Sequence, residues 1–215
     1  MDSNTDAGAV LGAEERTATL AALKLATAKS NEREGLRSVI VGEGLAMVTD
    51  TYLAVNIPAL AGLPDGAYCA EALTAAIKGY RRSELAAVMP DADGLAVRRI
   101  DASPHVERSI REEVADGRVP EGLVAATYHV RRLGAEVAVP RVAGIYQDAV
   151  AAIEDPGYTP EHAELAGHRL AAIIKAAPPV GGDRRTERVG IYPRGLRPAV
   201  ITSEERPYAV LMPMR

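Results

Sequence analysis

The chain has 215 residues, of which 47% are hydrophobic and 25% are charged, and its formal net charge is -4 at pH 7. This length allows one or two domains with a buried core. The acidic balance excludes a uniformly basic surface for nucleic acid, although a local basic patch remains compatible with it. No apolar run reaches the roughly 20 residues of a transmembrane helix, and the start "MDSNTDAG" is unlike a signal peptide. With a single cysteine, Cys69, these features predict a soluble cytoplasmic protein that has no membrane contact.

The first half of the chain alternates helices with short strands. A first helix is expected over Glu14–Ser30, where Leu20 and Leu23 recur at helical spacing, and a second over Ala70–Arg82. Alternation and turn residues predict strands over Leu36–Val41, Leu45–Thr49, Tyr52–Ile57, Leu85–Met89 and Gly94–Ile100. This part therefore repeats one order of elements, a helix followed by a group of strands.

The second half is less regular. Pro104–Gly117 fits either a charged helix or an edge strand, and the secondary structure of Ile145–Pro156 is also left open. A third helix is expected over Pro160–Ala177, because Pro178 and Pro179 follow it. The remaining strands are predicted at Leu123–Val130, Ala135–Val142, Arg188–Pro193, Pro198–Thr202 and Tyr208–Met212.

These elements predict an α+β fold in which each helix is followed by an antiparallel meander and the helices lie on one face of the sheets. We expect a flexible tail over residues 1–12, a first domain over 13–118 and a second over 119–215. The last strand stays apolar almost to the final residue, so it either closes the core as an edge strand or lines a groove.

Cations cluster in the C-terminal halves of the predicted helices. Lys78, Arg81 and Arg82 follow one another at spacings that share a helix face. Such cations stabilise a helix through its macrodipole, which explains any one helix without a ligand. If the three helices line one surface, however, the cations form a basic stripe that suits phosphates without reading sequence.

Four segments resemble a known family. The terminal "YAVLMPMR" (Tyr208–Arg215) and "LAMVTDTYLAV" (Leu45–Val55) resemble segments of the bacterial DNA polymerase III β subunit, the sliding clamp. "SNEREGLRSVIV" (Ser30–Val41) and "GIYQDAVAAI" (Gly144–Ile153) are weaker matches. The chain departs from the family in lacking its terminal Leu, in lacking the His and Arg of the second segment, and in having Gln147 in place of a proline.

The resemblance implies a DNA clamp fold, a ring that encloses double-stranded DNA without reading its sequence. Its partners would be a DNA polymerase, other proteins with clamp-binding peptides, and a clamp loader. DNA would face Lys24, Lys29, Lys78, Arg81, Arg82, Arg169 and Lys175. The partner peptide would bind Thr49, Asp50, Thr51, Leu53, Val210, Met212, Pro213, Met214 and Arg215.

The same resemblance bounds the number of chains in a ring. Family rings contain six domains, so a chain of two domains favours a homotrimer. Three half-domain repeats, one for each predicted helix, would instead need four chains. The alternative function is a decoy or regulator that binds the same peptides without enclosing DNA.

No catalytic or cofactor signature accompanies these motifs. His105, His129, His162 and His168 lack the spacing of metal ligands. Asp50 is expected to form an Asx turn rather than to act as an acid or base. We therefore expect a protein that is not an enzyme and uses no cofactor.

Overall fold

The computed structural model describes residues 8–26, 34–50, 52–102, 105–134, 139–161, 165–177, 189–195, 197–203 and 205–212. Its helices are α1 (Ala13–Ala26), α2 (Ala70–Ile77), α3 (Glu107–Ala115), α4 (Val139–Glu154) and α5 (Gly167–Lys175). Its strands are β1 (Ala9–Leu11), β2 (Ser38–Gly42), β3 (Leu45–Thr49), β4 (Leu53–Asn56), β5 (Gly66–Cys69), β6 (Glu84–Asp91), β7 (Gly94–Asp101), β8 (Val124–Arg131), β9 (Val189–Arg194), β10 (Arg197–Ser203) and β11 (Arg206–Leu211).

The described elements form three repeats of a helix followed by a three-stranded meander. Repeat A contains α1 and β2–β4, repeat B contains α2 and β6–β8, and repeat C contains α5 and β9–β11. In repeat A a short turn joins β2 to β3 at Glu43 and Gly44, whose positive φ angles of 54° and 73° match the twist of a tight hairpin. In repeat B the helix α3 lies between β7 and β8. The α+β architecture predicted from the sequence is confirmed.

Repeats A and B exchange their leading strands, the short strands that precede α1 and α2. The leading strand β1 pairs with β6 of repeat B, and the leading strand β5 pairs with β2 of repeat A. Both pairings are antiparallel, and each leading strand occupies the outer edge of the first strand of the other meander. The exchange is reciprocal and ties the two repeats into one unit.

Repeat C joins repeat A through the last strands of their meanders. β11 pairs antiparallel with β4, with Val210 opposite Ala54 and Leu211 opposite Leu53. The resulting sheet has seven strands in the order β5-β2-β3-β4-β11-β10-β9, beside a four-stranded sheet in the order β1-β6-β7-β8. Both sheets cross the boundary predicted between residues 118 and 119.

One face of each sheet packs against the same helices. Within the described chain α1 packs against both α2 and α5, and small residues such as Ala22 and Ala76 let the helices approach closely. The alternation of strand residues directs Ala86 and Val88 toward this main core. These three helices, which we call the helix layer, therefore belong one to each repeat.

The opposite faces of the sheets are covered by α3 and α4. Ile110 and Val114 of α3 pack on Leu85 and other residues of the four-stranded sheet. Tyr146 and Ala149 of α4 pack on Met47, Val200 and Val210 of the seven-stranded sheet. Each sheet thus has the helix layer on one side and a connecting helix over part of the other, while most residues of β8 are exposed or half-buried.

Two predicted helices are longer than the observed ones. α2 ends at Ile77 because Lys78 is already extended and Gly79 has a φ of 80°. Arg81 and Arg82 therefore lie on a loop, and their predicted place on a helical face with Lys78 is wrong. α5 begins only at Gly167, because Glu161 still runs beside β9 and donates its N–H to Pro193.

Other expectations change in the middle and at the start of the chain. The strand predicted over Ala135–Val142 is wrong from Val139 onward, where α4 begins with Pro140 in its first turn. The two open segments, Pro104–Gly117 and Ile145–Pro156, contain α3 and the second part of α4. Residues 9–11 form a buried strand rather than part of a flexible tail.

The packing of α4 can be tested with neighbouring residues of that helix. Tyr146 is 5% exposed and Ile145 is 50% exposed. Tyr146→Ala should lower the free energy of unfolding by about 3–5 kcal/mol because it leaves a cavity over the sheet. Ile145→Ala, the matched control, should change it by roughly 0.5 kcal/mol or less. Equal losses in urea denaturation would contradict this packing.

Candidate DNA-facing and peptide-binding surfaces

The helix layer presents one lysine from each repeat to solvent. Lys24 lies on α1, Lys78 directly after α2 and Lys175 at the end of α5, and all three are exposed. Because α1 packs against both α2 and α5, the three lysines lie on neighbouring helices. Lys29 lies outside the described residues.

Arg81 and Arg82 lie on the loop that connects α2 to β6, and both are exposed. Arg16 of α1, whose side chain is buried, binds the backbone of this loop. The Arg16 Nη2 donates to the carbonyl of Arg81 at 2.7 Å, and its Nη1 donates to the carbonyl of Glu84. A buried guanidinium thus fixes the backbone that carries two of the predicted DNA-facing cations.

Glu84 completes this network from the first residue of β6. Its carboxylate accepts two hydrogen bonds from Arg99, at 2.6 and 2.7 Å, and one from the N–H of Arg81 at 2.5 Å. Burial would raise the pKa of Glu84, but the hydrogen bonds and positive charges of Arg99 and Arg81 outweigh it and lower that pKa. Glu84 therefore stays ionised and holds the loop.

Tyr80 lies between two guanidinium groups of this network. The Arg16 and Arg99 groups lie 5.2 and 5.0 Å from its ring centroid, within the range of a cation–π interaction. Burial, with a further contribution from Tyr128, raises the pKa of Tyr80 to about 12. Within the described part of the chain its hydroxyl has no hydrogen-bond partner.

The raised pKa of Tyr80 predicts a loss of stability in alkali. In the unfolded chain a tyrosine ionises near pH 10, about two units below Tyr80 in the fold. Its contribution to stability is therefore present below about pH 10 and is lost as the pH rises toward about 12. Tyr80→Phe should reduce this alkaline loss and leave stability at neutral pH nearly unchanged, as measured by urea denaturation across the range. Tyr52→Phe, at an exposed tyrosine, is the control, and an equal alkaline loss in Tyr80→Phe and the native chain would contradict the assignment.

Arg169 lies on the opposite border of the helix layer and is engaged by repeat A. Its Nη1 donates to Asp50 Oδ2 at 2.6 Å, and its guanidinium lies 4.6 Å from the ring centroid of Tyr52. The structure thus joins a residue predicted to face DNA to one predicted to line the peptide groove. With its charge offset by Asp50, Arg169 acts as a link between repeats A and C.

Asp50 forms the expected Asx turn. Its Oδ1 accepts hydrogen bonds from the N–H groups of Tyr52 and Leu53, both at 2.9 Å. The other carboxylate oxygen is the one that binds Arg169. One side chain therefore shapes the turn between β3 and β4 and connects it to α5.

The residues predicted to line the groove are divided by their burial. Leu53 lies in the main core and Val210 lies beneath α4, so neither side chain faces an open groove in this structure. Thr49 is also buried and donates its hydroxyl to the carbonyl of Leu53 at 2.7 Å. Thr51, Pro213, Met214 and Arg215 lie outside the described residues.

The exposed part of this region is formed by Tyr52 and Met212. They are 59% and 37% exposed, and the N–H of Met212 donates to the carbonyl of Tyr52 at 2.7 Å. The sequence placed Tyr52 in a strand, although its position two residues after an Asx-turn aspartate was a signal for an exposed turn. No local signal identified the cluster of Arg16, Tyr80, Glu84 and Arg99, because distant segments bring it together.

The two roles of Asp50 can be separated by substitution. Asp50→Ala should lower the free energy of unfolding by roughly 2–4 kcal/mol, because it removes the turn acceptor and leaves Arg169 without its carboxylate. Asp50→Asn keeps an oxygen for the turn and loses only the ionic contact, so its loss should be clearly smaller. Denaturant unfolding of both variants measures this, and equal losses would show that the turn contributes nothing.

No group of three or more His, Cys, Asp or Glu side chains is placed to hold a metal ion in the described ranges. His129 Nδ1 instead lies 2.8 Å from Asp91, and Cys69 is half-buried and in the reduced form. Among the described helices none has the length and apolar character to cross a membrane.

Comparison with known proteins gives one kind of similarity. No protein-family model and no curated protein sequence matches the chain. Solved structures similar to it include the DNA polymerase sliding clamp of Pseudomonas aeruginosa, with a TM-score of 0.46 and 11% identity over 100% of this chain and 67% of that one. The β sliding clamp of C. crescentus has a TM-score of 0.47 and 12% identity over 100% and 68%.

The DNA polymerase III β subunit of Thermotoga maritima is similar at a TM-score of 0.40 and 11% identity, over 95% of this chain and 53% of that one. The solved structures thus belong to the family whose motifs the sequence resembles. The identities are low, and the chain spans about two thirds or less of the length of these proteins.

Proposed function

We propose that the chain is a subunit of a DNA sliding clamp, a cytoplasmic processivity factor that encloses duplex DNA and tethers polymerases by short peptides. The observation that carries the proposal is the set of three helix-plus-meander repeats whose helices form one layer. Sheets that continue from one repeat to the next can be extended by further copies into a curved wall. The proposed ring has its helix layer inside and α3 and α4 outside.

The number of repeats favours four chains in this ring. A six-domain ring contains twelve half-domain repeats, and the described chain supplies three of them. The homotrimer favoured by length alone would contain only nine. We therefore propose a tetramer, loaded onto DNA by a clamp loader.

The DNA-facing surface is proposed to consist of the exposed cations Lys24, Lys78, Arg81, Arg82 and Lys175, with Lys29 from the adjoining segment. Contacts of lysine and arginine with phosphates are independent of sequence and weaken with salt, which suits a protein that must slide. Arg169 is omitted from this surface because Asp50 binds it.

A charge-reversal experiment tests this surface. Lys78→Glu with Arg82→Glu should weaken binding to a short duplex and reduce the slope of log affinity against log salt by about 2, one for each lost phosphate contact. Arg81 is left in place because its charge supports Glu84. The reading is fluorescence anisotropy with a labelled duplex at several salt concentrations.

The matched control reverses two exposed arginines of the outer side, Arg108 on α3 and Arg118 after it. Arg108→Glu with Arg118→Glu changes the net charge equally, so it should leave the slope nearly unchanged. Equal effects of the two doubles would mean that net charge alone governs binding and that the helix layer does not face DNA.

The peptide-binding surface is proposed at the join of repeats A and C. Among the described residues Tyr52 and Met212 form its exposed part, and the resemblance adds Pro213, Met214 and Arg215 to the proposal. Methionine is flexible and polarizable, so it adapts to varied peptide side chains. The join is also rigid, because β4 and β11 are paired and Asp50 holds α5 beside them.

Deleting residues 212–215 should lower the affinity for a polymerase-derived clamp-binding peptide at least about tenfold, since it removes the exposed Met212 and the three residues proposed with it. Tyr52→Ala should lower it in the same direction, whereas Val106→Ala, at an exposed residue near α3, should not. Calorimetric titration measures all three variants, and circular dichroism checks that they are folded. Unchanged affinity in the folded deletion variant would rule this surface out.

A further inference from the structure

Among the described residues, β8, the last strand of repeat B, has one edge without a partner strand. Within the described residues β8 pairs along its length with β7 alone, and a single bridge from Arg132 to Tyr68 follows just beyond its end. β8 has eight residues, so its outer edge offers a long row of backbone donors and acceptors.

This edge lacks the features that keep natural edge strands from pairing. Such strands usually carry lysine, proline or inward-pointing charges. The sequence of β8, "VAATYHVR", contains neither lysine nor proline, and its one arginine stands at the end. Ala125, Thr127 and Tyr128 are exposed near the middle of the strand. The edge is therefore suited to accept another strand.

The join of repeats A and C shows which kind of strand fits. There the last strand of one meander, β4, pairs antiparallel with the last strand of another, β11. The sheet faces continue across the join, because Ala54 and Val210 both lie beneath α4. Each meander of the described chain has one last strand, and two of these, β4 and β11, pair with each other. The third, β8, is therefore the last strand that a second copy has available for pairing.

Charge at the two ends of β8 favours the same pairing. Glu121, which precedes the strand, is exposed and forms an ion pair with Arg98 of the same copy, and Arg131 at the end of the strand is exposed. When two copies pair antiparallel, Arg131 of one copy comes close to Glu121 of the other. A parallel pairing would instead bring like charges together at each end.

We propose that β8 pairs with β8 of a second copy across a two-fold axis near Thr127. This interface is isologous, because both copies use the same edge. At the other end of the row of repeats the edge strand is β9. It is the first strand of its meander, so it offers a different kind of edge from β8. A ring built by these rules alternates two interfaces and holds an even number of chains, which excludes the homotrimer. The inference deepens the proposed function and rests on it only for the closed ring.

Charge pairs at the axis test the interface. In Thr127→Lys, and likewise in Thr127→Glu, residue 127 of each copy lies opposite or diagonal to the same charged residue of the other copy. This repulsion disfavours pairing. Each variant alone should show about half the native mass in light scattering after size exclusion. An equimolar mixture should regain the native mass, because lysine then faces glutamate.

Thr17→Lys and Thr17→Glu, at an exposed threonine of α1 that lies outside any strand, are the matched controls and should keep the native mass. Native mass in both Thr127 variants, a monomeric native chain, or a mixture that regains nothing would overturn the β8 interface. Failure of the proposed clamp function is a different result. The masses then change as predicted for the β8 interface, but Lys78→Glu with Arg82→Glu binds duplex DNA as the native chain does.

Discussion

The exchange of β1 and β5 between repeats A and B is the constraint on which the rest of the structure depends. A single meander buries one face only and leaves its first strand with an open edge. Each leading strand closes the edge of the other repeat and then delivers its own helix to the shared core. The helices α1 and α2 are thereby held side by side, and α5 can join them through the β4–β11 pairing.

The chemistry of the helix layer follows from this arrangement. The chain contains no Phe or Trp, and many of the buried positions on the helices are alanines, so the helices can lie close together. Charged and aromatic groups make the contact between α1 and the start of β6 instead: Arg16 and Arg99 lie near the ring of Tyr80, and Glu84 binds Arg99. Because Arg16 and Glu84 are buried, this network fixes the loop that carries Arg81 and Arg82. The proposed DNA-facing surface is consequently part of the fold rather than an addition to it.

The features that depend on local pattern were predictable from the sequence. Leu45–Thr49 is observed as predicted, and the strand expected from Gly94 extends to Asp101, because alternation and tight turns set both within a few residues. β1 was missed because three residues form a strand only when β6, far along the chain, pairs with them. The end of α2 and the start of α4 had signals, at Gly79 and Pro140, that weigh more than the apolar periodicity around them. The burial of Val210 had no local signal, since it depends on where α4 packs.

The central claim is that the assembled chain encloses DNA, and topological retention tests it most directly. The protein is assembled on a nicked circular plasmid and passed through a sizing column in salt high enough to screen phosphate contacts. The plasmid is then cut once by a restriction enzyme and the column is repeated. The account predicts that the protein stays with the circle and is released from the linear molecule. Equal retention on both forms, or release from both, would contradict it.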